Sequence, residues 1–427
     1  MSRFWNLSLA VGLLFLCISA CGATSNVTLF WQPSTSSTVA GYKVYYGGAS
    51  GDYTNDVSVD AVTNAVISGL VAGDTYYFAA TSYDASGDES GFSQEISYNI
   101  PTPVTLPTSV IPLSSLRPGS FGGLFYEQDA VRVQSSGAFN LSVTAAGKYS
   151  GTLQMSTGKF AFSGRFGTLC QATNHISRKN TSALVLSFSL GTSNEVSGSV
   201  SDGSWTANLY GDRNGFQATH GGLSPGKYTL MIGGITTVTN SLGHGFGTVT
   251  LNPAGSLRFS GTLADGTKVS QSALVSESDN WPLFVPLYSG RGLLMSWIAF
   301  TNAPGGDFGG NLNWIKPPGT KSLLYQNGLA IQCQVLGSYY LLGTNPVPTV
   351  TNTDLLLAGA LTGSSTNQIV SLRFSKANGT FTGQLRDTIG GKPADFEGVF
   401  LQKFNAGYGF VLGTNLSSPI MLYPSTP

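Results

Sequence analysis

The sequence predicts an all-β protein: an N-terminal β-sandwich followed by repeated antiparallel β-barrel-like units. Three observations predict it. Charged residues make up only 10% of the 427, whereas 55 are glycine, about twice the usual share. Apolar and polar residues alternate at period two between turn clusters, the pattern of half-buried strands. An apolar–x–Gly–x–apolar motif recurs from Tyr149 to Phe400. Sparse charge and 11% aromatic residues suit short strands and tight turns better than solvated helices.

The N-terminus reads as a targeting segment. Arg3 supplies a short positive region, and Leu7 to Ile18 is an apolar run too short for an ordinary membrane span. Ile18-Ser19-Ala20-Cys21 is similar to a bacterial lipobox, in which Cys21 would carry a lipid and become the first residue. Ordinary cleavage after Ala23 is the other reading. Either way residues 1–23 are a signal peptide, and the protein is expected to be secreted or held at the outer cell surface. Membrane contact is expected only through a lipid on Cys21. Outside the leader, Cys170 and Cys333 form an even pair that could close a disulfide or stay as two buried thiols. His175, His220 and His244 lack ligand spacing and no CxxC occurs, so neither metal nor cofactor is expected.

Residues 25–100 supply the sandwich. Val27-Thr28-Leu29-Phe30-Trp31 reads as one strand and Gly41-Tyr42-Lys43-Val44-Tyr45 as another, with Trp31, Tyr42 and Val44 facing inward. Tyr76, Phe78 and Ala80 alternate towards the same interior, and Tyr76 lies six residues after Leu70. These motifs and spacings resemble a fibronectin type III module, an Ig-like sandwich. The resemblance implies a structural core of Trp31, Tyr42, Leu70 and Tyr76, with the Tyr76 hydroxyl tying a turn back to backbone. It departs from that family in leaving almost no room for a strand before Val27, so that an edge would be open. Asp84 to Ser90 reads as a solvated hairpin tip, since its carboxylates lack the spacing of a calcium loop.

Pro101, Pro103, Pro107, Pro112 and Pro118 mark a stiff linker over 101–118. The glycine motif then begins: Tyr149-Ser150-Gly151-Thr152-Leu153, Phe162 to Phe166, Val196 to Val200, Phe259 to Leu263, Phe381 to Leu385 and Phe396 to Phe400. In each copy the glycine and its apolar flanks share one face. A glycine there suits a sheet that bends sharply, or an aromatic from the next strand lying over bare backbone. Pro118-Gly119-Ser120-Phe121 resembles Pro225-Gly226-Lys227-Tyr228, which divides the region into repeats at 119–224 and 225–350 and a shorter one at 351–427. The region is similar to glycine-rich β-repeats of secreted bacterial multidomain proteins of unknown function.

Chemistry is hard to find. Basic and acidic residues balance at 21 each with no basic stripe, which argues against a nucleic-acid partner. Gly222-Leu223-Ser224-Pro225-Gly226 matches the GxSxG elbow formally, but Pro225 has no N–H to offer an oxyanion. Asp265, Asp279, Asp307, Glu277, Asp387, Asp395 and Glu397 mostly adjoin glycine or turn residues, as hairpin tips would. Trp281, Trp297, Trp314, Tyr288, Tyr325, Tyr339 and Tyr340 crowd the second repeat, where they could fill a barrel or stack on sugars. Asn311, Asn313 and Trp314 are the sharpest glycan-binding candidates. Clean alternation over only five to seven residues argues against a membrane-spanning barrel.

The sequence thus points to an exported, non-enzymatic bacterial binding or structural protein whose partner is a protein or glycan at the cell surface. A carbohydrate-binding accessory of polysaccharide processing is the alternative, and an outer-membrane barrel a weaker one.

Overall fold

The structure is a computed structural model that describes residues 10–14, 24–31, 34, 36, 38–61, 64–71, 74–100, 111–192, 194–216, 224–236, 241–303, 306–320, 324–341, 355–356, 368–386 and 393–422. It is built of strands joined by turns and three short 3-10 segments. The chain divides into two compact units, residues 1–105 with 128–130, and the remainder.

The first unit is a sandwich. One sheet joins β1 (Ala10–Leu14), β2 (Thr24–Phe30) and β5 (Asn64–Val71) in the order β1-β2-β5. The other joins β3 (Val39–Gly47), β4 (Asn55–Asp60), β6 (Thr75–Asp84) and β7 (Ile96–Asn99) in the order β4-β3-β6-β7. Val27, Leu29, Trp31, Tyr42, Val44, Leu70, Phe78 and Ala80 fill the space between them, and the half-buried Tyr76 packs against that core. The Tyr76 hydroxyl accepts the Val71 N–H at 3.2 Å, which pins the turn before β6. The expectation of almost no room for a strand before Val27 is corrected. β2 already starts at Thr24, and Ala10–Leu14 pairs with it along Ala10↔Phe30 to Leu14↔Asn26. The apolar leader run therefore has enough extended backbone to supply the ladder that β2 would otherwise leave open. Cys21 and most of residues 1–23 lie outside the described residues.

The second unit begins with a sheet of eight strands: β8 (Gly119–Tyr126), β9 (Gly137–Val143), β10 (Lys148–Met155), β11 (Gly158–Arg165), β12 (Gln171–Arg178), β13 (Thr181–Leu190), β14 (Glu195–Ser201) and β15 (Thr206–Arg213). Its order, β11-β10-β9-β8-β15-β14-β13-β12, is two meanders joined by β8 and β15, leaving an unladdered seam between β11 and β12. The sheet curls until the two sides of the seam meet. Tyr149 on β10 reaches Asn174 on β12, whose amide donates to the tyrosine hydroxyl at 3.0 Å. The described end of the proline-rich linker is no free spacer, since Ile111, Leu113 and Leu116 pack onto this barrel's core.

The plan repeats in β16 (Gly226–Ile232), β17 (Ile235–Thr236), β18 (Ser241–Leu242), β19 (Gly245–Leu251), β20 (Ser256–Thr262), β21 (Lys268–Leu274), β22 (Asn280–Leu287), β23 (Gly292–Ala303), β24 (Gly306–Lys316) and β25 (Leu329–Tyr339). The sheet order is β21-β20-β19-β16-β25-β24-β23-β22, with β17 and β18 as a side hairpin. Its seam falls between β21 and β22, where Pro282 and Pro286 have no N–H to give. Side chains stitch it instead: Gln271 donates to the Pro282 carbonyl at 3.0 Å and accepts the Trp281 indole N–H at 2.9 Å. The strands are longer than the sequence suggested, and β23 runs for 12 residues. Phe308, Leu312 and Trp314 nevertheless point inward while Asn311 and Asn313 lie on the other face.

A third sheet, β26 (Leu355–Leu356), β27 (Gln368–Phe374), β28 (Thr380–Arg386), β29 (Ala394–Leu401), β30 (Ala406–Leu412) and β31 (Ser417–Leu422), is ordered β26-β31-β30-β29-β28-β27. It packs on the second barrel, whose core includes Val399, Leu401 and Phe410. His244 helps hold the two together. Its Nδ1 accepts the Gly234 N–H at 2.9 Å, its backbone N–H donates to the Gly409 carbonyl at 3.1 Å, and its ring stands edge-on to Tyr408.

The glycines explain how the sheets bend so tightly. Gly151 pairs with Phe162, Gly123 with Phe139, Gly337 with Phe308, and Gly383 with Phe396 across neighbouring strands. In each pair the ring lies over the glycine. A Cβ on Gly123 would stand 2.6 Å from Phe139 Cε1, one on Gly151 would be 2.5 Å from Phe162 Cζ, and one on Gly337 would be 2.1 Å from Phe308 Cζ. Filling that space should strain a packed core. Gly337→Ala is expected to lose about 1–3 kcal/mol in urea unfolding, and adding Phe308→Leu to recover part of the loss; strictly additive losses would show that the glycine does not serve the ring.

His244 gives a pH dependence of definite sign. Burial holds its pKa down at about 4 against 6.5 for a free histidine. Between those values the unfolded chain binds the extra proton, so this residue's contribution is complete above pH 6.5 and is lost as pH falls towards 4. The loss is expected to be at most about 3 kcal/mol. In thermal melts from pH 7 to 4, His244→Asn, which keeps an acceptor near Nδ1, should show a flatter decline than the parent chain.

Candidate binding surfaces

Most sequence-predicted site residues turn out to be interior. Trp314 is 1% exposed, and its indole N–H donates to the Tyr288 hydroxyl at 3.0 Å. The glycan-stacking role is therefore corrected, since neither face of this ring is open to a sugar. Asn311 and Asn313 sit on the opposite face of β24, separated from Trp314 by the sheet itself. Trp281 is fully buried, Tyr340 nearly so, and Trp297 packs edge-on against Tyr210 of the first barrel. The second barrel's rings fill space because its glycines leave gaps that only flat side chains fit.

Cys170 and Cys333 are free thiols buried in different hydrophobic cores, Cys170 in the first barrel and Cys333 in the second. Of the two readings, separate thiols is the one realised. Burial pushes both thiols up in pKa, Cys333 to about 12, so neither behaves as an exposed nucleophile.

The carboxylates are dispersed among structural tasks. Asp265 lies wholly buried in the second barrel, 2.7 Å from the equally buried Lys316 ammonium, and accepts from the Tyr288 hydroxyl at 2.9 Å. Asp307 pairs with Lys403 of the third sheet at 2.9 Å, and Glu277 with Arg213 across the two barrels at 3.2 Å. Asp279 occupies a turn at φ 56°, Asp395 accepts from Gln384, and Glu397 lies 3.5 Å from Lys268. Asp387 is outside the described residues. The Ser224 carbonyl accepts from the Tyr228 hydroxyl at 2.5 Å. Asp84 caps its own turn, its carboxylate accepting the N–H groups of Ser86 and Asp88. Among the described residues no cluster of three or more His, Cys, Asp or Glu is placed to hold a metal.

Two surfaces among the described residues stand out. The first is a cleft of about 430 Å³ between the barrels. Asn140, Thr152, Gln154 and Lys159 line one wall, and Ser256, Gln271, Ser272 and Leu274 the other. Asp212 beside it is 5% exposed and accepts from Ser276 at 3.2 Å and Asn280 at 3.0 Å, which locks the walls together. Amides and hydroxyls with one lysine suit an uncharged polar ligand.

The second surface lies on the sandwich. Phe92, between β6 and β7, is 56% exposed, the highest value among the described large apolar side chains. Tyr45 of β3 meets it edge-on at 5.1 Å between ring centres, and Tyr53, in the turn before β4, at 5.3 Å. Carboxylates fix both tyrosines: Tyr45 donates to Glu89 and Tyr53 to Glu95, each at 2.7 Å. Glu95 also accepts from Ser50 at 2.5 Å and from the Gly51 N–H at 2.7 Å. These bonds hold both carboxyls below the usual carboxylate range, with the Tyr45 bond first for Glu89 and the Ser50 bond first for Glu95. No motif in the sequence announced this cluster. Tyr45, Tyr53 and Phe92 come from three separate segments, and the alternation of β3 gave the only hint by placing Tyr45 opposite the inward Tyr42 and Val44.

The Trp31 and Tyr42 core, the Tyr76 turn and the two-sheet order agree with what the family comparison finds, a match over residues 16–99 to the fibronectin type III domain. The N-terminal module is a fibronectin type III domain. No curated protein matches the chain. Among solved structures it is similar to one described as intact Ap-TbpB with N and C lobes, at 10% identity over 90% of this chain and 94% of that one. The TM-score of 0.19 leaves the barrels to be understood from their own geometry.

Within the fibronectin type III domain, the tyrosine anchors can be read by titration. Burial first, and then the Glu95 bond, push the Tyr53 hydroxyl up to about 12. Glu95→Ala is expected to lower that value part of the way towards 10, followed by ultraviolet difference absorbance at tyrosine. An unchanged titration would show that the carboxylate does not hold the ring.

Proposed function

We propose that this is an exported, non-enzymatic binding protein of the cell surface or extracellular space. Its fibronectin type III domain docks a partner, and its two barrels with their attached sheet form a separate compact unit. The observation that carries this reading is the aromatic cluster of Tyr45, Tyr53 and Phe92. Three rings gathered at the surface and fixed by two carboxylates cost side-chain entropy and stabilise no core, whereas a pre-organised docking surface accounts for them. The dispersal of carboxylates into separate ion pairs supports a binding role over bond-breaking chemistry.

Export rests on the leader, and it has a structural consequence. Ala10–Leu14 lies within the apolar run and also forms β1. Cleavage before Cys21 or after Ala23 would remove β1 and leave the β2 edge without that neighbour. Mass spectrometry of the mature protein from the producing cell is expected to find an N-terminus at a lipid-bearing Cys21 or at Thr24. An unprocessed chain retained in the cytoplasm would overturn the proposal.

A further inference from the structure

The cluster on the fibronectin type III domain carries chemistry as well as shape. Residues 24–100 contain six aspartates and two glutamates, with Lys43 as the sole cation and no arginine. The balanced charge of the whole chain therefore conceals a strongly acidic module, because the remaining residues carry the surplus of base. Lys43 is already committed, standing 3.5 Å from Glu89 and 3.6 Å from Asp56. It also lies 4.9 Å above the Tyr45 ring, so this surface already holds one cation over an aromatic face. Phe92 and Glu95 repeat the two halves of that arrangement without the cation. Phe92 offers an exposed ring, and the hydrogen-bond donors on Glu95 are the neutral groups of Ser50, Gly51 and Tyr53, which leave its charge uncompensated.

We propose that the surface formed by Phe92, Tyr53, Tyr45 and Glu95 binds an arginine side chain presented by an extended segment of a partner protein, the guanidinium lying over Phe92 beside the Glu95 carboxylate. Arginine fits better than lysine because a planar, weakly hydrated guanidinium can stack on a ring and face a carboxylate at once. The negative field of the module draws a basic segment in, and the aromatic cluster fixes where it sits. The proposal rests on the binding reading given above and names the partner's chemistry.

The test is calorimetric titration of the purified full chain with the peptide acetyl-Gly-Arg-Gly-Ser-Gly-Arg-Gly-Ser-amide, and with the same peptide carrying citrulline in place of arginine. Citrulline keeps the shape and loses the charge. Saturable binding of the arginine peptide alone is expected. Phe92→Ala, at an exposed position outside the core, should weaken it about three- to fivefold, the contribution of a cation on an exposed ring. Glu95→Gln and Asp74→Asn each remove one negative charge from the domain, and only the first should weaken binding. Absence of saturable binding, equal binding of the citrulline peptide, full affinity in Phe92→Ala, or equal weakening by Glu95→Gln and Asp74→Asn would each overturn the proposal. Because the titration uses purified protein, these results are independent of where the mature N-terminus falls, and failure here leaves the export test standing.

Discussion

The barrels depend on one contact, an aromatic ring lying on a glycine of the neighbouring strand. A strand with a side chain at every inward position cannot curl far before those side chains collide. Removing one Cβ per strand relieves the crowding but exposes backbone and leaves a gap. A flat ring from the paired position fills that gap, recovers the buried apolar area and fixes the register, since a one-residue slip would point the ring outward. Phe139 shows how far the device extends. It lies opposite Gly123, which in turn pairs with Gly211, so one ring covers glycines on two adjacent strands. The same geometry recurs where Phe381 covers Gly398 in the third sheet, so barrel and open sheet share one local rule.

Curling alone does not close a barrel, and the two seams are finished differently. In the first, Tyr149 and Asn174 meet beside a cluster in which Phe162, Phe166 and Phe188 crowd around the same tyrosine. In the second, prolines on β22 prevent a ladder, and Gln271 takes its place by bonding both the Pro282 carbonyl and the Trp281 indole. A ladder would be indifferent to side-chain identity, whereas these bridges are not. Each barrel is therefore most sensitive at the one line where its backbone is unpaired. The buried Lys316–Asp265 pair works in a similar way. Two charges taken wholly out of water are tolerable because Tyr288 and the Thr267 N–H supply further hydrogen bonds to the same carboxylate.

Much of this architecture was legible in the sequence, because it rests on local patterns. Period-two alternation gave the strands, and the spacing of Trp31, Tyr42, Leu70 and Tyr76 gave the sandwich. The glycine motif even predicted rings over bare backbone. What escaped was whatever depends on residues far apart in the chain. Trp314 and its flanking amides look the same in sequence whether the ring faces a sugar or the barrel interior, and only closure of the sheet decides. Strand length was underestimated because alternation falters at glycines such as Gly309 and Gly310 although the ladder to β25 continues through them. Ala10–Leu14 was read as leader alone, since an apolar run carries no mark distinguishing a targeting segment from a strand.

The aromatic residues divide along the same line. Inside the barrels, Trp281, Trp314 and Phe308 are held by neighbours on every side, and their positions follow from the need to fill space. On the fibronectin type III domain, Tyr45 and Tyr53 are held by carboxylates, a costlier way to position a ring because it recruits charge and spends hydrogen bonds at the surface. A ring that only had to be buried would not need such anchors. Held in place without being covered, the cluster keeps its shape in water and presents Phe92 at its centre. That pre-organisation separates a surface built to meet another molecule from apolar residues that merely happen to be exposed, as Leu341 or Leu412 are, singly, elsewhere on the chain.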